Sequence, residues 1–143
     1  LKKWSRQMAD AVTSQTLLDG EHLFIAKFTN ISDGTGETGV IKIDVSSLNP
    51  NAFNLACNGV KINRIWGQTM NMGVDILWDA TSDVICCTVP ENQFFLMDYS
   101  DFGGLTNNAG TGKTGDVLFS TVNASSGDRY TIILECIKTY ASA

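Results

Sequence analysis

Eight short apolar runs, each followed by a turn signal, constrain this chain more than any other feature of it. They are Leu23–Phe28, Val40–Val45, Val60–Trp66, Val74–Trp78, Val84–Val89, Phe94–Met97, Val117–Val122 and Tyr130–Ile137. Several alternate. Val74, Ile76 and Trp78 oppose Asp75, Leu77 and Asp79, while Ile41, Ile43 and Val45 oppose Val40, Lys42 and Asp44. A period of two is that of a strand with one buried face. Between the runs lie Asp33-Gly34-Thr35-Gly36, Asn49-Pro50-Asn51, Asn58-Gly59, Pro90-Glu91-Asn92, Gly103-Gly104, Asn107-Asn108-Ala109-Gly110 and Ser126-Gly127. These residues favour tight turns through positive φ, a preset φ or side-chain bonds to the backbone. The one helical candidate is Pro50–Ala56, a turn or two at most. Two loops are long, Asn30–Gly39 and Asp98–Gly115.

The pattern predicts an all-β fold: a single-domain antiparallel β-sandwich or jelly-roll-like barrel of about eight strands. The domain spans residues 21–143, and residues 1–20 precede it as an N-terminal arm. A chain of 143 residues has room for one such domain. The expected core is Phe24, Phe28, Ile41, Ile43, Val60, Ile62, Val74, Ile76, Trp78, Phe119, Ile132 and Leu134. Within the second long loop, Phe102 and Leu105 flank Gly103-Gly104. They are expected to anchor that loop and to offer it as a protein-interaction surface.

Charge divides the chain unevenly. Lys2, Lys3 and Arg6 are three of its ten basic residues and lie within the first eight positions; the other seven accompany all fifteen acidic residues. A net charge of -5 disfavours phosphate binding as the main task, because neutralising phosphates needs clustered Lys and Arg. A basic arm on an acidic body suits contact with an acidic neighbour, including another copy. Lys2, Lys3, Trp4 and Arg6 are therefore the expected interaction residues of the arm, with Trp4 as its apolar anchor. Met8-Ala9-Asp10 reads as a normal initiation, so residues 1–7 are expected to come from an upstream start or from processing. Residues 1–18 hold no apolar run of the length a secretory signal needs, and no segment reaches the ~18–20 apolar residues of a membrane span. The expectation is a protein made in a cytoplasm, with no membrane partner.

The motifs that suggest chemistry fail on spacing. Gly110-Thr111-Gly112-Lys113-Thr114 resembles a phosphate loop, but the position five before Gly112 is Asn107 and a strand-like run follows instead of a helix. Asp75, Asp79, Asp83, Asp98 and Asp101 read as solvated acids, and neither Asp98 with Asp101 nor Asp33 with Glu37 fits the twelve-residue calcium loop. His22 is the only imidazole and shares an alternating set with Phe24, Ala26 and Phe28, at a strand's edge. Cys57, Cys86, Cys87 and Cys136 form no CxxC and are expected to be free thiols. No enzyme activity, cofactor or metal is expected, and no direct nucleic-acid contact.

Several stretches carry a resemblance. Phe28–Glu37, Val40–Leu48, Gly59–Asn63, Ile76–Thr81 and Asp101–Gly110 resemble small virion structural proteins of tailed double-stranded DNA bacteriophages, most like a capsid decoration or cement protein. The likeness covers nearly all of the chain after Met8. It implies a virion protein that decorates and stabilises a capsid by binding the major capsid protein shell and neighbouring copies, as a dimer or trimer. Its place would be the capsid surface, after synthesis in the bacterial host cytoplasm. It transfers no catalytic or binding residue. The alternatives are a tail, neck or connector ring component, or a carbohydrate-binding β-sandwich module with Trp4, Trp66 and Trp78 on a platform.

Overall fold

A computed structural model describes residues 10–142. Nine strands follow in order: β1 (Ala11–Asp19), β2 (Leu23–Ile31), β3 (Val40–Ile43), β4 (Cys57–Met70), β5 (Gly73–Trp78), β6 (Val84–Val89), β7 (Phe94–Asp98), β8 (Val117–Val122) and β9 (Arg129–Tyr140). They build two antiparallel sheets. Sheet A runs β1-β2-β9-β4-β7 and sheet B runs β3-β8-β5-β6. The two pack face to face as a single-domain β-sandwich.

The pairing is nested. β5 pairs with β6, β4 with β7, β3 with β8 and β2 with β9, and successive pairs fall in alternate sheets. One long hairpin, wound so that its pairs alternate between layers, gives this order; the winding is that of a jelly roll. The winding sets β9 in the centre of sheet A and β8 and β5 in the centre of sheet B.

Alternation decides which side chains fill the space between sheets. Phe24, Ala26 and Phe28 of β2 are buried, and so are Ile132, Leu134 and Cys136 of β9 and Val74, Ile76 and Trp78 of β5. Aromatic rings bridge the layers. Phe119 meets Phe28 edge-on at 5.4 Å and Tyr130 at 5.8 Å, the offset geometry that ring quadrupoles favour. Eleven of the twelve expected core residues are buried in this cluster. Ile41 is not. A register shift between Ile41 and Ile43 inserts one residue into β3 and reverses the faces. Ile41 turns outward and Lys42 turns in.

Lys42 is stabilised inside by charge. Its Nζ lies 2.5 Å from Glu37 Oε2, and the Tyr130 hydroxyl donates to Glu37 Oε1 at 2.7 Å. A second buried ammonium, Lys138 Nζ, donates to Asp19 Oδ1 at 2.6 Å and to the carbonyls of Gly20 and Asn49, both at 2.8 Å. Its three donors are matched by three acceptors, as a buried charge requires.

Two further sequence expectations change. Residues 50–56 form no helix, because Asn51 Oδ1 accepts from the Phe53 and Leu55 N–H groups and Asn54 takes a positive φ of 61°. The expected arm of residues 1–20 divides as well. Ala11–Asp19 pairs along β2 as an edge strand of the domain's own sheet, which makes that stretch part of the sandwich.

Candidate interaction surface

Sheet A shows one face to the core and one to the outside, and register aligns the outward side chains into rows. Lys27, Ile133, Trp66 and Leu96 lie side by side across β2, β9, β4 and β7. Thr29, Thr131, Gln68 and Phe94 form the next row. Trp66 reaches this face through a bulge. Val60 and Ile62 point inward, the register shifts between Ile62 and Arg64, and Trp66 emerges on the opposite side. Leu96 is 53% exposed and Phe94 is 85% exposed. With Trp66 and Ile133 they form an apolar, aromatic corner at the β7 edge.

Gly67 permits this corner. A Cβ there would sit 2.7 Å from the Phe95 ring, which turns inward against the core. Without a side chain at Gly67, β7 can lie flat on β4, so the residues on either side of Phe95 face out.

The row behind the corner is ionic. Arg64 places Nη1 2.6 Å from Glu135 Oε2 and Nε 3.3 Å from Asp98 Oδ2. Asn63 Nδ2 also donates to Glu135 Oε2, at 2.7 Å. The bonds to Asp98 and the charge of Glu135 raise the Arg64 pKa. Hydrogen bonds from Ser100, with help from Arg64, lower that of Asp98. These cross-strand pairs pin the register of β4 against β7 and β9.

Sheet B carries an outward row of its own. Ile41, Leu118, Leu77 and Ile85 align across all four strands. Leu118 and Leu77 are 3% and 9% exposed, yet neither belongs to the cluster between the sheets. Ile41 and Ile85, at the row's ends, are more than half exposed. Beside them Thr88 Oγ1 donates to Asp75 Oδ1 at 2.9 Å.

The loop residues separate in role. Leu105 is half-buried against the core and exchanges backbone hydrogen bonds with Ile62, at 2.8 and 3.2 Å. It is the anchor. Phe102 rests beside Tyr99 at 6.0 Å between rings and is 67% exposed, so it is displayed and does not anchor. Phe53, on the turn after Asn51, is 83% exposed and was not singled out from the sequence. Lys2, Lys3, Trp4 and Arg6 lie outside the described residues.

The remaining candidates are dispersed. His22 is exposed in the turn between β1 and β2. The Gly110–Thr114 segment is a turn, with Lys113 N–H bonded to Gly110 O at 3.2 Å. It borders an open cleft of about 480 Å³ that also includes Lys61 and Asn107. All four cysteines are free thiols, and burial raises the Cys57 and Cys136 thiol pKa values. Among the described residues no three His, Cys, Asp or Glu side chains converge as metal ligands. Trp78 lies in the core, leaving Trp66 as the exposed indole among the described residues. No protein-family model matches the chain, and no curated protein matches it.

Proposed function

We propose that this domain is a structural protein of a bacteriophage virion, which decorates and stabilises the capsid by binding the major capsid protein shell and neighbouring copies of itself. The observation that carries the reading is the apolar corner of Trp66, Leu96, Phe94 and Ile133 on the outer face of sheet A. Aromatic and large aliphatic groups gathered on one exposed face are what protein interfaces bury at their centres. Phe53 and Phe102 extend the same chemistry to the loops. The resemblance of the sequence to small phage virion proteins points the same way, and the jelly roll is an architecture that shell proteins share with many others.

Two measurements test it. Quantitative mass spectrometry of gradient-purified particles should find hundreds of copies; a count near about six or twelve would assign the chain to a tail, neck or connector ring instead. The double variant Phe94→Asp and Leu96→Asp should melt within a degree or two of wild type, since both positions are exposed. It should be lost from particles at concentrations where wild type is retained. Full retention of that variant would remove this face from the proposal.

A further inference from the structure

Where the chain enters β1, three oxygen-bearing side chains meet. Asp10 Oδ1 accepts from the Asp33 N–H at 3.1 Å and the Gly36 N–H at 3.3 Å. Its Oδ2 accepts from Asn30 Nδ2 at 3.0 Å. The loop can turn back over Asp10 because Gly34 and Gly36 take φ of 105° and 75°. The Asp33 carboxyl adjoins that of Asp10, and its Oδ1 accepts from the Thr35 N–H at 2.9 Å.

Two oxygens in this group stand out. Asn30 is fully buried on the inward face of β2, and its Oδ1 has no hydrogen-bond partner among the described residues. Asp33 Oδ2 is also shut off from solvent and has none. Both are acceptors, and a buried acceptor without a donor is costly to keep. They stand beside the Asp10 carboxylate, which already accepts three N–H bonds. The nearby ammonium of Lys42 is already on Glu37. A cation satisfies all of these groups at once. Every donor atom available is oxygen, which selects a hard ion over zinc or copper. A mixed set of carboxylate, amide and water oxygens in a loop suits calcium better than the strict octahedron of magnesium.

We propose that Asp10, Asn30 and Asp33 form a calcium site that ties the start of β1 to the loop after β2. Two carboxylates and one amide oxygen make it a weak site, with Kd in the range of about 10⁻⁴–10⁻³ M. Local spacing in the sequence hides it, because Asp10 is brought to Asp33 across 23 positions by the β1–β2 pairing.

The full chain, freed of metal with a chelator, is the material for the test. Terbium(III) replaces calcium and emits when a nearby aromatic ring is excited, and Tyr130 lies directly opposite Asn30 in the sheet. The expected result is saturable terbium emission, displaced by calcium, with a melting temperature that rises on adding calcium at constant ionic strength. Asp33→Asn, which keeps the side chain's size and removes its charge, should weaken calcium binding by at least about tenfold and remove most of the rise. Asn30→Asp, which adds a third carboxylate, should strengthen binding. A water, or a proton shared by the two carboxyls, would instead give no calcium-dependent shift at millimolar concentration, and that result overturns the site. So does emission that Asp33→Asn leaves unchanged.

Discussion

Strands β1 and β9 belong to the same sheet and are held in it by opposite means. β9 lies between β2 and β4, and its inward Tyr130, Ile132, Leu134 and Cys136 all enter the core. β1 pairs along nearly its full length with β2, yet it contributes no residue to that core. Its inward positions Val12, Ser14 and Thr16 stand opposite Asn30, Phe28 and Ala26, but β1 is exposed along nearly all its length. An open groove of about 170 Å³ remains between Ser14 and Thr16 on one side and Lys42 and Ile43 on the other. Backbone pairing makes a strand a member of a sheet. Burial of its side chains decides how much stability rests on it.

The largest break in this comparison should come from β9. Ile132 is fully buried, so Ile132→Ala should cost about 2–5 kcal/mol in equilibrium urea unfolding, through lost burial and the cavity left behind. Next is Lys138→Met, which removes the ammonium that links β9 to the end of β1. It strands Asp19 and two carbonyls, and a loss of about 3 kcal/mol is expected by the same measurement. Adding Asp19→Asn to that variant should recover part of it.

The same lysine sharpens the contrast through pH. Burial opposes the Lys138 charge, but the hydrogen bond and charge of Asp19 more than offset it, so its pKa is raised on folding. A raised lysine contributes stability that is whole below its unfolded pKa of about 10.4 and is lost as pH climbs through the folded value. Stability against pH should therefore drop more steeply above about 10.4 in wild type than in Lys138→Met. The smallest effect should come from β1. Val12→Ser is expected to shift unfolding by less than about 0.5 kcal/mol. A loss above about 1 kcal/mol would show that the Val12 side chain carries more of the stability than its exposure implies.

Much of the fold was legible because side-chain alternation writes the inner face of each strand into the sequence. The bounds of β6 and β8 coincide with the apolar runs Val84–Val89 and Val117–Val122. β1 was not legible as a strand. Its Ala11–Asp19 sequence has Val12, Leu17 and Leu18 with no alternation, and ladder hydrogen bonds leave no residue pattern behind. Bulges hid the rest. Ile41 and Trp66 share the parity of inward neighbours, and an inserted residue reverses each of them. The outer rows depend on pairings such as Trp66 with Leu96 and Ile133, which join distant parts of the chain. For the loop, Phe102 and Leu105 flank Gly103-Gly104 alike, and only the pairing of Leu105 with the distant Ile62 separates the anchor from the displayed ring.

The nested pairing also sets an order of assembly during synthesis. The hairpin of β5 and β6 is the first pair of the winding to be complete on an emerging chain, and each later pair encloses a longer loop. β9 is the last of these nine strands to be made and fills the middle of sheet A. Until it leaves the ribosome, β2 and β4 each lack a neighbour along one edge, and the core lacks Tyr130, Ile132, Leu134 and Cys136. Such open edges are where nascent chains join one another by mistake. On this plan a nascent chain is most vulnerable to aggregation in the interval before β9 arrives.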